Sequence, residues 1–242
     1  MAYVDYLNDA TLRAQVKNVL DVGRERQVGV LENFQSNVID PFSTLFESAV
    51  SGVDHDAWQK AEMVRQCQKT LSNHIGSLHQ KILGAVAGWQ DLGVGNEVDL
   101  VCHERKIIAE VKNKYNTVTG GKLADQYQQL DSLVMPKASR YKGYTAYFVN
   151  IIPKSPQRFD TIFTPSDKTK GARCQANELI RIIDGASFYA LVTGREQALR
   201  EMYDALPRVI ESIFREDYGQ PNFSLPDKNQ FRHYYLAAYE SR

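Results

Sequence analysis

The residues with the most chemistry in them lie in one short run, Asp99-Leu-Val-Cys-His-Glu-Arg-Lys-Ile-Ile-Ala-Glu110-Val-Lys112. It reads as two strands joined by a polar turn. With Glu104 and Arg105 as the turn, residue 102 pairs with 107, 101 with 108, 100 with 109 and 99 with 110. Side chains alternate along a strand, so Val98, Leu100, Cys102, Ile107, Ala109 and Val111 share an apolar face. Asp99, Glu110 and Lys112 then share the other. Two carboxylates facing each other across a ladder sit ~5 Å apart at Cβ and repel. A divalent cation between them turns that repulsion into a binding site. Asp99, Glu110 and the backbone carbonyl of Val111 are hard oxygen donors, which favour Mg²⁺. The ion would lower the pKa of a bound water and neutralise charge at phosphorus, with Lys112 orienting the water or stabilising the developing charge. Such a ledge suits metal-assisted phosphodiester hydrolysis. The competing reading is an ordinary hairpin with a solvated outer face, Lys112 offsetting the two acids.

Other elements must hold this ledge. Residues 1–88 are expected to be helical: Leu12, Val16, Val19 and Leu20 recur at helical spacing after Asn8, a candidate N-cap, with Gly23 as the stop. Pro41 precedes a short segment around 42–50. A long amphipathic pattern then follows Asp54, through Trp58, Val64, Leu71, Leu78 and Ile82. Four glycines within 84–95 mark a change of texture. Strands are expected at 98–102, 106–112, 144–152, 159–163 and 188–192, and helices at 122–133, 175–183 and 195–214, the last containing Pro207. This alternation predicts an α/β core, a central mixed β-sheet flanked by helices. The core spans 89–218, with an aromatic tail (219–242) packed across it, the whole forming one compact body. The 242 residues, 43% hydrophobic, are enough for one large core.

Equal numbers of basic and acidic residues, 29 each, exclude a simple basic nucleic-acid coat. The charge is unevenly placed, however. Residues 105–175 hold 13 Lys/Arg against 5 Asp/Glu, a surplus of eight that surrounds the ledge and suits a polyanion held against one face. Cys67, Cys102 and Cys174 show no CxxC spacing, and Cys67 and Cys102 fit as small core residues. The five histidines lack HExxH or other zinc spacing. Gly93-Val-Gly-Asn-Glu precedes a strand and lacks the third glycine of a dinucleotide site, so no organic cofactor is expected. Without a leader-like start or a membrane-length apolar stretch, a cytoplasmic protein is expected.

Val98-Asp99, ten residues and then Glu110-Val111-Lys112 resembles the PD-(D/E)XK nuclease signature, with Val98 in place of the usual proline. The resemblance extends to Gly93-Val-Gly-Asn-Glu-Val-Asp99, to Glu110-Val-Lys-Asn-Lys-Tyr-Asn-Thr117 and to Asp184-Gly-Ala-Ser-Phe-Tyr-Ala-Leu-Val-Thr-Gly194. These are similar to type II restriction endonucleases that cut GGNCC-type sites. The resemblance implies Asp99 and Glu110 as metal ligands, Lys112 as the catalytic lysine, double-stranded DNA as substrate and 5′-phosphate ends. A palindromic site implies a homodimer. Glu97 is a weaker candidate for a second-metal or water-mediated role.

Lys114 and Asn116 follow the catalytic strand and are candidate DNA contacts, although Asn116-Thr117 before Gly120-Gly121 is also good turn chemistry. Lys168, Lys170, Arg173 and Gln175 combine charge and an amide just before an expected helix. Arg reads guanine and Gln reads adenine in the major groove, so Arg173 is the first candidate base reader for a G/C-rich site. Lys168 and Lys170 suit phosphates, with Arg140 and Lys142 as weaker candidates. Two alternatives stand beside a restriction enzyme. One is a structure-selective repair nuclease of the same fold, the other a DNA-binding protein without catalysis.

Overall fold

The computed structural model describes residues 2–32, 34 and 38–240, the side chains of 30–32 excepted. Positions 1, 33, 35–37, 241 and 242 of the expected helical region and tail lie outside the described residues. Two compact units form, one from residues 17–75 and one from residues 1–16 with 76–242.

The smaller unit is helical. It holds most of α1 (Asp9–Glu32), all of α2 (Pro41–Ser51) and the first two thirds of α3 (His55–Gly84). Asn8 does open α1, its side chain accepting from the Ala10 N–H at 2.8 Å. Gly23 does not end it, because the helix runs nine residues further. A Cβ there would lie 2.8 Å from Leu71 Cδ2, so the glycine makes room for α3. Asp40 caps α2 by accepting from Phe42 N and Ser43 N, and Gly52 closes it at φ 64°. Asp54 accepts from Ala57 N at 2.9 Å and opens α3.

The larger unit is the expected α/β core. Six strands, β1 (Gln90–Asp91), β2 (Leu100–Cys102), β3 (Ile107–Lys114), β4 (Thr145–Ile152), β5 (Asp160–Ile162) and β8 (Ile180–Asp184), form one mixed sheet in the order β1-β2-β3-β4-β8-β5. The β3–β4 and β4–β8 pairs are parallel and the others antiparallel. Helix α4 (Leu123–Val134) connects β3 to β4. Tyr127, Leu130 and Val134 pack it on Val101, Ile108, Ala146, Phe148 and Ile180. On the opposite face α5 (Gly185–Thr193) sets Phe188 against Tyr147, ring centroids 5.9 Å apart. Covering both faces explains why β4, Thr-Ala-Tyr-Phe-Val-Asn-Ile-Ile, is apolar almost throughout rather than alternating.

The predicted hairpin register is observed at three pairs, 100 with 109, 101 with 108 and 102 with 107. Its outer face is buried too: Val101 and Ile108 are fully covered. The turn is wider than two residues, with Lys106 in the left-handed region at φ 52°.

Two expected elements exchange identity. The helix expected at 175–183 is a loop followed by β8, and the strand expected at 188–192 is α5. β-Branched Ile180, Ile182 and Ile183 favour a strand. The caps decide the second segment: Asp184 accepts from Ser187 N at 2.9 Å and Gly194 closes the helix at φ 72°. A buried apolar run such as Phe-Tyr-Ala-Leu-Val has no periodicity that separates helix from strand. Helix α6 (Ala198–Glu216) continues through Pro207, and α7 (Lys228–Tyr239) carries the tail aromatics. Tyr235 stacks on Tyr203 at 4.6 Å, and the Tyr239 hydroxyl donates to the Ile151 carbonyl at 2.9 Å. No helix among the described residues is long and apolar enough to cross a membrane.

Candidate active site

Strand β3 leaves the core at the residues the sequence singles out. Ile107, Ile108 and Ala109 are buried, Glu110 to Asn113 are half-buried and Lys114 is exposed. Alternation from Ile108, which faces α4, puts Glu110 and Lys112 on the same side of the sheet. Lys112 Nζ donates to Glu110 Oε1 at 2.5 Å, with side-chain exposures of 24% and 15%. The pair is therefore set at the rim of the core, dry enough to strengthen charge and open enough to admit a substrate.

Asp99 joins them by breaking the ladder. The predicted 99–110 pair is absent. Instead Asp99 N donates to the Ala109 carbonyl at 3.1 Å, and Val111 N donates to Asp99 Oδ2 at 2.7 Å. A side-chain oxygen thus takes the backbone donor that another strand residue would have used, which fixes the carboxylate beside β3. Its pKa is pushed up to about 6. Burial is the main cause and the Glu110 charge the next, while the Val111 N–H and the Lys112 ammonium pull the other way. Two carboxylates are crowded here with too little positive charge to balance them. Among the described residues no group of three His, Cys, Asp or Glu side chains gathers to hold a metal. An ion at this ledge would therefore take two carboxylates and fill its shell with carbonyl, water or phosphate oxygen, which is the habit of Mg²⁺.

Glu97 has a different engagement. Its carboxylate meets Arg140 at 3.1 Å, and its carbonyl accepts from Gln129 on α4 at 2.8 Å. Arg140 also lies over the Tyr141 ring at 4.7 Å, so this arginine is tied to the body. Lys142 is exposed. Lys114 and Asn116 are exposed in a turn closed by Thr117, whose N–H donates to the Lys114 carbonyl at 3.0 Å and whose hydroxyl accepts from Lys114 N at 3.2 Å.

The second basic cluster is built otherwise than the sequence suggests. No helix follows it. Lys168, Lys170 and Arg173 stand on a two-stranded ribbon, β6 (Ser166–Asp167) and β7 (Ala172–Arg173), with Ser166 opposite Arg173. Gly171 turns at φ 62°. Asp167, buried at the base, holds the turn by accepting from Thr169 N at 3.0 Å and from the Thr169 hydroxyl at 2.5 Å. Those bonds, the hydroxyl first, keep its carboxyl below the usual range. The ribbon is tied down through Cys174 N, which donates to the Pro165 carbonyl, and through the Gln175 carbonyl, which accepts from Tyr127 on α4 at 2.7 Å. Arg173 and Gln175 are exposed.

One polar residue escapes the sequence reading. Asn150 on β4 is 6% exposed, and its Oδ1 has no hydrogen-bond partner. Its signal is a lone amide in the apolar run Ala146 to Ile152.

Known proteins resemble the chain along nearly its whole length. The Eco47II restriction endonuclease family matches residues 4–215. The type II restriction enzyme Eco47II of Escherichia coli is 54% identical over 239 residues, covering 99% of this chain and all of that protein. The type II restriction enzyme Sau96I of Staphylococcus aureus is 26% identical over 227 residues, covering 92% of this chain and 85% of its own length.

Proposed function

The chain belongs to the Eco47II restriction endonuclease family and is a type II restriction endonuclease acting on double-stranded DNA, and from that premise we propose that it hydrolyses the phosphodiester with Mg²⁺ at Asp99, Glu110 and Lys112. The observation that carries the reading is the crowding of the two carboxylates beside one lysine at the end of β3. Asp99, Glu110 and the Val111 carbonyl would hold the ion. Bound there, the ion would supply a more acidic water and neutralise charge on the reacting phosphate. Lys112 orients the attacking water and offsets charge as phosphorus is attacked in line. The sugar 3′ oxygen leaves, so the product carries a 5′ phosphate. The body excludes water from the floor of the ledge, where Ile108 and Phe148 are buried.

Recognition falls to the exposed basic elements. A two-stranded ribbon fits the major groove. Arg173 reads a guanine of a GGNCC-like site from the ribbon, and Gln175 supports it. Lys168 and Lys170 contact phosphates, and Lys114 and Asn116 contact the backbone beside the scissile bond. A symmetric dimer, each copy cutting one strand of the palindrome, completes a cytoplasmic enzyme.

The test is incubation of the protein with unmethylated phage DNA in Mg²⁺ or EDTA, beside Glu110→Ala. Discrete Mg²⁺-dependent fragments that vanish in the variant support the reading, and sequencing their ends gives the site and the end chemistry. A smear would point to a structure-selective or nonspecific nuclease. Intact DNA across salt and Mn²⁺ would point to a binding protein.

A further inference from the structure

Three residues stand side by side on three parallel strands: Lys112 on β3, Asn150 on β4 and Asp184 on β8. Neighbours across a ladder share a face and lie ~5 Å apart. The face is the one that carries Glu110, because Ala146 and Phe148, four and two residues before Asn150, belong to the cluster beneath α4 together with Ile108. Asn150 thus points to the side of the ledge, next to the lysine.

Its surroundings do not explain it as a structural amide. Asp184 is fully engaged, one oxygen accepting from Ser187 N at 2.9 Å and the other from Phe159 N at 2.7 Å. Asn150 Oδ1 is buried and accepts from nothing. An amide oxygen left this way costs about 1–3 kcal/mol, and leucine, of similar shape, would avoid the cost in a strand that is otherwise apolar. The donor in the adjoining row is the Lys112 ammonium. It has three N–H groups, and Glu110 Oε1 takes one of them. Glu110 would give that same carboxylate to a metal ion at the ledge, and the ammonium would then need another acceptor.

We infer that Asn150 is a positioning residue for Lys112, its side-chain carbonyl accepting a hydrogen bond from the ammonium while Glu110 is engaged by the metal ion. The inference rests on the reading of Glu110 and Lys112 as the cleavage site. It assigns to β4 the task of keeping the lysine aimed at the phosphate when its partner on β3 is occupied. The amide does not touch substrate; it acts through the lysine.

The experiment compares wild type, Asn150→Leu, Asn150→Asp and Glu110→Ala on a duplex carrying the site mapped from phage fragments. It measures the single-turnover cleavage rate in Mg²⁺, the DNA dissociation constant in Ca²⁺ and the thermal midpoint of the metal-free protein. Asn150→Leu is expected to cut about ten- to a hundredfold more slowly, to bind DNA within about twofold of wild type and to melt at the same temperature or higher. A merely structural amide predicts the opposite sign for the midpoint. Asn150→Asp keeps an acceptor beside the lysine and is expected to recover most of the rate, which also decides the matter should the leucine variant fail to fold. Cleavage by Asn150→Leu within about twofold of wild type overturns the inference, as does an aspartate variant no faster than the leucine one. If Glu110→Ala is inactive while Asn150→Leu is unimpaired, the inference alone fails. If Glu110→Ala cuts normally, the assigned site fails and takes the inference with it.

Discussion

The ledge at the end of β3 and the ribbon of β6 and β7 both gather charged side chains, yet they are built in opposite ways. The ledge grows out of the most buried part of the molecule. Its side chains are positioned by the register of β2, β3 and β4, and burial together with the nearby Glu110 charge raises the Asp99 pKa. The ribbon has two residues in each strand and exposed cations, and a single buried aspartate fastens its turn. Cleavage chemistry needs groups held to fractions of an ångström, and only packing does that. Recognition of a groove needs reach and charge, which a short ribbon supplies without disturbing the core. The contrast implies that damage to the ledge abolishes rate and spares binding, while damage to the ribbon weakens or relaxes binding and leaves the chemistry intact.

The largest expected effect is at the ledge. Glu110→Ala should lower single-turnover cleavage by about 10³-fold or more, since the proposal makes it a metal ligand and such a ligand contributes several kcal/mol. DNA affinity in Ca²⁺-free buffer should stay within about threefold. A parallel loss of binding, measured by fluorescence anisotropy, would erase the distinction between the two regions. Next comes the ribbon. Arg173→Ala should cost about 1–3 kcal/mol of affinity for the cognate duplex, and it should narrow the gap between cognate and mismatched duplexes. Uniform weakening on every sequence would demote Arg173 to a phosphate contact.

Acid should act on the body that holds the ledge. His79 on α3 is buried, its Nδ1 is 2.8 Å from the Tyr189 hydroxyl, and burial lowers its pKa to about 4. Between about 4 and 6.5 the unfolded chain binds a proton there that the folded chain does not, so stability rises with pH across that window and is lost as pH falls through it. From pH 6.5 to 5 this should remove about 2 kcal/mol. Urea melts of wild type and His79→Gln at the two values check it, the variant showing the shallower loss. The smallest effect is Lys168→Ala, which should weaken binding a few-fold on all sequences and reduce the slope of log affinity against log salt by about one. An unchanged slope would remove Lys168 from the phosphate contacts.

Much of this arrangement was legible in the residues because side-chain alternation and register are tightly coupled. A one-residue slip of β2 against β3 would set Leu100 opposite a residue of the other face and part Asp99 from Glu110 and Lys112, so pairing 100 with 109 could be read directly. The grouping of Asp99 with Glu110 and Lys112 followed from that register, although Asp99 reaches its place by taking the Val111 N–H rather than by pairing with Glu110. Phe188 to Val192 were not legible, since burial on all sides leaves no period, and the caps at Asp184 and Gly194 carry the information instead. The ribbon was hidden for another reason: strands of two residues are too short for any pattern. Asn150 was hidden because its neighbour Lys112 is 38 positions away, a proximity that only the parallel pairing of β3 and β4 creates.

The sheet's outermost strands have a consequence for self-association. β1 has two residues and β5 three, and each carries an acidic side chain, Asp91 or Asp160. A foreign strand laid along either border would find only a few backbone groups to pair with and a charge in the way. The borders are therefore poor templates for cross-molecular β-pairing and for aggregation that starts from it. In the proposed dimer two copies would then join through helices and loops, leaving each sheet a separate six-stranded unit.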